Sequence, residues 1–174
     1  MPRRFLLAAV TLAGCTSIQD TYAPPIQRKP LNPSEPRAFG HFVNMNDPNA
    51  EAYFVKDVSP NLEGGAWRWT GKRPELKFFL DSVDNLSFVM DYTIAEPTFT
   101  STGPVNISIF INGQLLERLH EKTHGERHFS KPAPPALLRK KGVNVVAMEI
   151  DKVWVSPADR AVLGFVLTRA GFRQ

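Results

Sequence analysis

Val105-Asn106-Ile107-Ser108-Ile109-Phe110-Ile111-Asn112-Gly113 is the stretch that decides the fold. In an extended chain Val105, Ile107, Ile109 and Ile111 share one face, while Asn106, Ser108 and Phe110 share the other. A period of two held over seven residues predicts a half-buried strand. Asn112-Gly113 follows at once. Both residues tolerate the positive φ of a two-residue hairpin turn, so residues 114–119 should return antiparallel to the strand.

Outward from this hairpin the same period recurs. Leu76, Phe78 and Leu80 alternate in residues 75–80, and Leu86, Phe88, Met90, Tyr92 and Ile94 alternate in residues 86–94. Residues 143–150, 153–155 and 162–168 read as further strands. No segment sustains a 3.6 period. Residues 135–140, after Pro132, Pro134 and Pro135, offer one helical turn at most. Phe79, Val89 and Phe110 lie opposite the apolar series, to be covered by loops or by segment 39–62, or left as a partner patch. Many short strands punctuated by Pro and Gly predict an all-β domain over 39–174, a single antiparallel β-sandwich of the jelly-roll kind.

The chain begins differently. Arg3 and Arg4 precede the apolar run 5–14, which is too short to span a bilayer core of about 30 Å. Leu12-Ala13-Gly14-Cys15 closes that run. The tetrad resembles the lipobox of bacterial lipoproteins. The resemblance implies a signal peptide over 1–14, removed before Cys15, and a lipid (palmitate among its chains) on the Cys15 sulfur. Two or more acyl chains, each buried methylene contributing about 0.8 kcal/mol, anchor a protein stably. Thr16, rather than Asp, points to the outer membrane.

Residues 15–38 are expected to be a tether. Pro24, Pro25, Pro30, Pro33 and Pro36 fall among polar residues with few apolar side chains to bury. The whole chain carries a formal charge of +4, but removal of Arg3 and Arg4 leaves 19 basic against 17 acidic residues. That near-neutral balance gives no case for nucleic acid. Cys15 is the one cysteine, so the domain must be held by its core rather than by disulfides.

Glu63-Gly64-Gly65-Ala66-Trp67-Arg68-Trp69-Thr70-Gly71 resembles the Glu-x-x-x-x-Arg-Trp-(Ser/Thr) opening of small galactose-binding-like β-sandwich domains. The segments 105–113, 142–145, 156–157 and 163–167 are similar to that group in the same order. The resemblance implies a fold like that of carbohydrate-binding modules, a glycan as one class of partner, and no particular sugar.

Two residues apart in a strand, Trp67 and Trp69 share a face, with Arg68 and Thr70 on the other. Exposed, the indoles would form a platform for the apolar face of a pyranose, with Glu63, Arg68 and Arg73 near enough to bond its hydroxyls. Buried, at least one would instead anchor the first strand in the core. Arg68 would then face outward and pair with Glu63 to fix the loop.

His120, His124 and His128 recur every four residues, a zinc-like spacing on a helix. The segment reads instead as strand end and turn, so a solvated, metal-free loop is expected. No metal site is assigned. Asp47, Asp57, Asp81, Asp84 and Asp91 supply carboxylates for a structural calcium, although none forms a loop motif. No nucleophile elbow, zinc-protease pair or phosphate loop is present, so the chain is not expected to be an enzyme.

The expectation is a lipid-anchored envelope protein whose domain binds without catalysis, with glycan as the ligand class. The alternative is an assembly lipoprotein that docks an envelope protein complex. An exposed aromatic among polar groups in a groove favours the first, a broad apolar patch the second.

Overall fold

The structure is a computed structural model that describes residues 39–174. Cys15 and the segments expected to be a signal peptide and a tether lie outside the described residues. Among these, no helix is long and apolar enough to cross a membrane.

The strands are β1 (Phe42–Asn44), β2 (Phe54–Val58), β3 (Arg68–Leu80), β4 (Ser87–Ile94), β5 (Val105–Ile111) and β6 (Gln114–Glu121), followed by β7 (Gly125–Pro132), β8 (Gly142–Ile150), β9 (Trp154–Val155), β10 (Val162–Leu163) and β11 (Val166–Arg173). Every pairing among them is antiparallel. One layer runs β6-β5-β8-β3, with β2 also on β3. The other runs β11-β4-β7, with β1 on β11. Strand β3 belongs to both. Residues 75–80 pair with β8, whereas Arg68 and Trp69 pair with Leu167 and Val166 of β11. The domain is an all-β sandwich.

The period of two in the sequence explains the core. Leu76, Phe78, Phe88, Met90, Ile94, Ile107, Ile109 and Ile111 are all fully buried. Phe172 packs at 5.7 Å from Phe78 and 5.5 Å from Phe88, joining the layers by ring contacts. Truncating a phenylalanine so placed costs about 3–5 kcal/mol. The 105–113 hairpin forms as expected, with Asn112 and Gly113 at φ 50° and 83°.

Three local expectations are corrected. The 120–128 segment is not a loop: β6 continues to Glu121 and β7 starts at Gly125. As a terminal strand paired only with β4, β7 carries polar side chains on its outer face and buries only Phe129, so it shows no apolar alternation. A seven-residue helix, α1 (Glu96–Thr102), is too short to display a helical period. The last strand divides into β10 and β11, and β11 runs on to Arg173. Segment 39–62 contributes β1 and β2 to the sheet as strands.

Strand β3 passes through Pro74, which has no N–H to give a ladder. Its register against β2 slips there, from Lys56 opposite Glu75 to Val58 opposite Thr70. The Arg73 N–H is satisfied instead by the Asp57 carboxylate, at 3.1 Å.

Candidate binding cleft

Residues 63–67 form a tight reversal. Gly64 and Gly65 sit at φ 56° and 67°, the Glu63 carbonyl accepts from Ala66 N–H, and Glu63 N–H donates to the Trp67 carbonyl at 2.8 Å. A Cβ on Gly64 would lie 2.7 Å from Trp67 Nε1, so the indole rests directly over this glycine. Trp67 and Trp69 stand edge to face, with ring centroids 5.9 Å apart and an interplanar angle of 88°. Both are half-buried. They share a face, as the alternation requires, but at right angles they make a corner rather than one flat platform.

Trp69 forms a wall of a cleft of about 420 Å³. Asp57 enters it from β2, Ser59 and Asn61 from the loop after it, Glu63 from the reversal, and Asp159 from the turn between β9 and β10. The cleft is within the range of small-molecule sites. Asp57, at φ 55°, lies against Gly71 while holding the Arg73 N–H. Hydrogen bonds from the Ser156 hydroxyl and the Ala161 N–H hold the Asp159 carboxyl below its usual range. At the floor, the Thr70 hydroxyl donates to the Phe165 carbonyl at 2.7 Å. The cleft thus sets an aromatic face beside carboxylate acceptors and the Asn61 and Ser59 side chains, which both donate and accept.

Arg68 does not take part. It is 6 % exposed and points into the sandwich, correcting the expectation that it reaches outward to a ligand or to Glu63. Its Nε donates to the Met45 carbonyl at 3.0 Å, and Nη1 donates to the carbonyls of Ser59 and Pro60. Its ion pair is with Glu51, at 3.6 Å, and its guanidinium stands 5.3 Å from the Phe54 ring centre. Arg68 ties three chain segments together under the cleft.

Arg73 lies on the outer face of the other layer. It pairs with Glu149 and Glu75 and covers the Phe110 ring at 5.0 Å. Of the five residues singled out from sequence, the fold therefore brings Glu63, Trp67 and Trp69 together and places Arg68 and Arg73 elsewhere. The sequence marks Asp57 only as a calcium candidate. Ser59, Asn61 and Asp159 carried no signal beyond turn-forming composition.

The histidines have separate partners. His120 Nδ1 bonds Asn106 at 2.7 Å, His128 Nδ1 bonds Asp91 at 2.5 Å, and His124 packs 6.2 Å from Phe99. Among the described residues, no three His, Cys, Asp or Glu side chains are grouped to hold a metal ion. Of the calcium candidates, Asp47 accepts from Asn49 N–H, Asp84 from the Ser82 hydroxyl, and Asp91 from Arg169 and His128.

No protein-family model matches the chain, and no curated protein matches it. Solved structures with a likeness to it include CBM35 from Cellvibrio japonicus Abf62, at 11 % identity and a TM-score of 0.41, over 76 % of this chain and 91 % of that one. The exo-beta-1,3-galactanase of Phanerochaete chrysosporium matches at 8 % identity and a TM-score of 0.40, over 78 % of this chain and 29 % of that one. PorU from Porphyromonas gingivalis matches at 15 % identity and a TM-score of 0.38, over 70 % of this chain. This chain spans 12 % of the length of PorU. TM-scores this low leave the cleft itself as the guide to function.

Proposed function

We propose that this protein is a lipid-anchored component of the bacterial cell envelope whose β-sandwich binds glycan at the Trp69 cleft, without catalysis. The carrying observation is the position of Trp69: a half-buried indole on the wall of a cleft shared with Asp57, Asn61, Glu63 and Asp159. A sugar ring has an apolar face of C–H groups and a rim of hydroxyls. An indole beside side-chain acceptors and donors complements both at once. Trp67, perpendicular to Trp69, braces that indole edge to face from outside the cleft lining.

The apolar alternative has less to stand on. Among the described residues the exposed large hydrophobic side chains are Val55, Leu62, Leu115, Val143, Val155 and Val162. Only Val155 and Val162 among these face one another across a ladder.

Binding of the full chain to a broad array of glycans and envelope polysaccharides tests the reading. Saturable retention, lost in Trp69→Ala and weakened in Trp67→Ala with a cooperative melt retained, is expected. A well-folded chain that binds nothing would shift the assignment to assembly of an envelope protein complex. Anchoring is tested separately: palmitate should label the wild-type protein in bacterial cells and not Cys15→Ser, which should leave the membrane fraction.

A further inference from the structure

The outer face of the β1-β11-β4-β7 layer carries a row of polar side chains in exact cross-strand register. Asn44 of β1 stands opposite Arg169 of β11, Arg169 opposite Asp91 of β4, and Asp91 opposite His128 of β7. Asp91 Oδ2 accepts from Arg169 Nε at 2.5 Å, and Asp91 Oδ1 meets His128 Nδ1 at 2.5 Å. The four side chains stand on four neighbouring strands, and two hollows open over them. One, of about 430 Å³, is lined by Asn44, Asn46, Ala66, Asp91, Thr168 and Arg169. The other, of about 310 Å³, includes Asp91, Thr93, Glu126, His128 and Thr168.

Thr168 lines both hollows because β11 is irregular there. The β11–β4 register slips between Leu167 and Arg169, and the Thr168 carbonyl turns aside to accept from Met45 N–H at 2.8 Å. Bulges of this kind re-aim a side chain and recur beside binding sites. The row also adjoins the tryptophans. Trp69 pairs with Val166, Val166 with Thr93, and Thr93 with Glu126, which places a second row directly beside the first. Ala66, next to Trp67, lines the larger hollow.

We infer that the Asn44–Arg169–Asp91–His128 row is a second saccharide-binding subsite, so that the ligand is an extended neutral oligosaccharide running from the tryptophan corner across four strands. This rests on the saccharide reading of the Trp69 cleft. With strands about 4.8 Å apart, the row spans roughly 14 Å, comparable to about three linked pyranose rings. Donors and acceptors alternate along it: the Asn44 amide offers both, Arg169 donates, Asp91 accepts, and His128 presents its outer ring nitrogen. Such a series suits successive hydroxyl pairs along one edge of a sugar chain. The Asp91 charge is already matched by Arg169, so the row presents no free net charge that calls for an anionic sugar.

The test is titration calorimetry of the full chain with the cello-, xylo- and β-1,3-galacto-oligosaccharide series, from disaccharide to hexasaccharide. In the series that binds, affinity should rise about tenfold or more between disaccharide and tetrasaccharide. The double variant Asn44→Ala/His128→Ala alters two exposed side chains, and should abolish that gain while keeping the disaccharide affinity and a cooperative melt. A tetrasaccharide held no more tightly than the disaccharide, or a length gain that survives the double variant, overturns the subsite alone. No binding in any series, with wild-type chain that is folded, overturns the saccharide reading of the cleft as well.

Discussion

The Tyr92 hydroxyl donates to Glu121 Oε1 at 2.6 Å, joining β4 of one layer to the end of β6 in the other. Glu121 also receives Arg127 Nε at 2.9 Å, and Lys131 of β7 pairs with Glu117 of β6. Strands β6 and β7 therefore meet through side chains where their backbones form no ladder. Each layer's last strand is fastened to the other across the turn that links them.

Burial, then the hydrogen bond to Glu121, pushes the Tyr92 phenol far above its usual value, so the folded state holds it neutral. An acid whose pKa is raised by folding stabilises the protein below its unfolded value, near 10, and that stability is lost as pH climbs above it. Wild type should lose melting temperature above about pH 10. Tyr92→Phe should blunt that loss and cost about 2 kcal/mol at neutral pH, read by denaturant melts.

Asp91 titrates in the opposite sense. Partial burial pushes its carboxyl up, but hydrogen bonds from His128 and Arg169 outweigh burial and hold it below the usual carboxylate range. Its contribution is complete above about pH 4 and is lost as pH falls through the lowered folded value. Asp91→Asn should lower the melting temperature at pH 7 and flatten its fall between about pH 4 and pH 2. An unchanged acid limb in Asp91→Asn would show that the pair adds no stability.

Arg68 is buried, with Nε and Nη1 donating to the carbonyls of Met45, Ser59 and Pro60. Arg68→Ala leaves those carbonyls unpaired and should cost about 3 kcal/mol or more. Arg68→Lys, lacking the planar fork, should recover only part of that loss. Glycan binding should weaken in proportion to the disorder of residues 59–67, as measured by proteolysis within the loop.

Gly64 and Gly65 make a matched pair. Both have positive φ, so alanine at either should cost about 1 kcal/mol of backbone strain. At Gly65 the added methyl meets nothing within 4 Å, whereas at Gly64 it meets Trp67 Nε1 at 2.7 Å. Gly64→Ala alone should shift tryptophan emission and reduce glycan retention. Equal effects from both variants would remove Trp67 from the site.

The sequence by itself determined the sandwich, because alternation is a local property: each apolar residue in 86–94 and 105–111 names its own face. The Asn112-Gly113 turn was legible for the same reason. The phase of Arg68 was in principle readable too, since it shares even parity with Leu76, Phe78 and Leu80, all buried on β3. Gly71 and Pro74 interrupt the apolar run between them, and a charged side chain in the inward phase reads as outward until carbonyl partners are seen. Those partners come from residues 8, 9 and 23 positions away.

What only the tertiary structure decided is the company each residue keeps. Trp69 and Asp159 lie 90 positions apart in the chain and share a cleft because β10 folds against β3. The Asn44–Arg169–Asp91–His128 row is drawn from four strands whose neighbours in space are distant in sequence. Strand periodicity fixes which face a side chain takes. Sheet order and register fix what stands beside it, and these depend on long-range backbone pairing that no local pattern encodes.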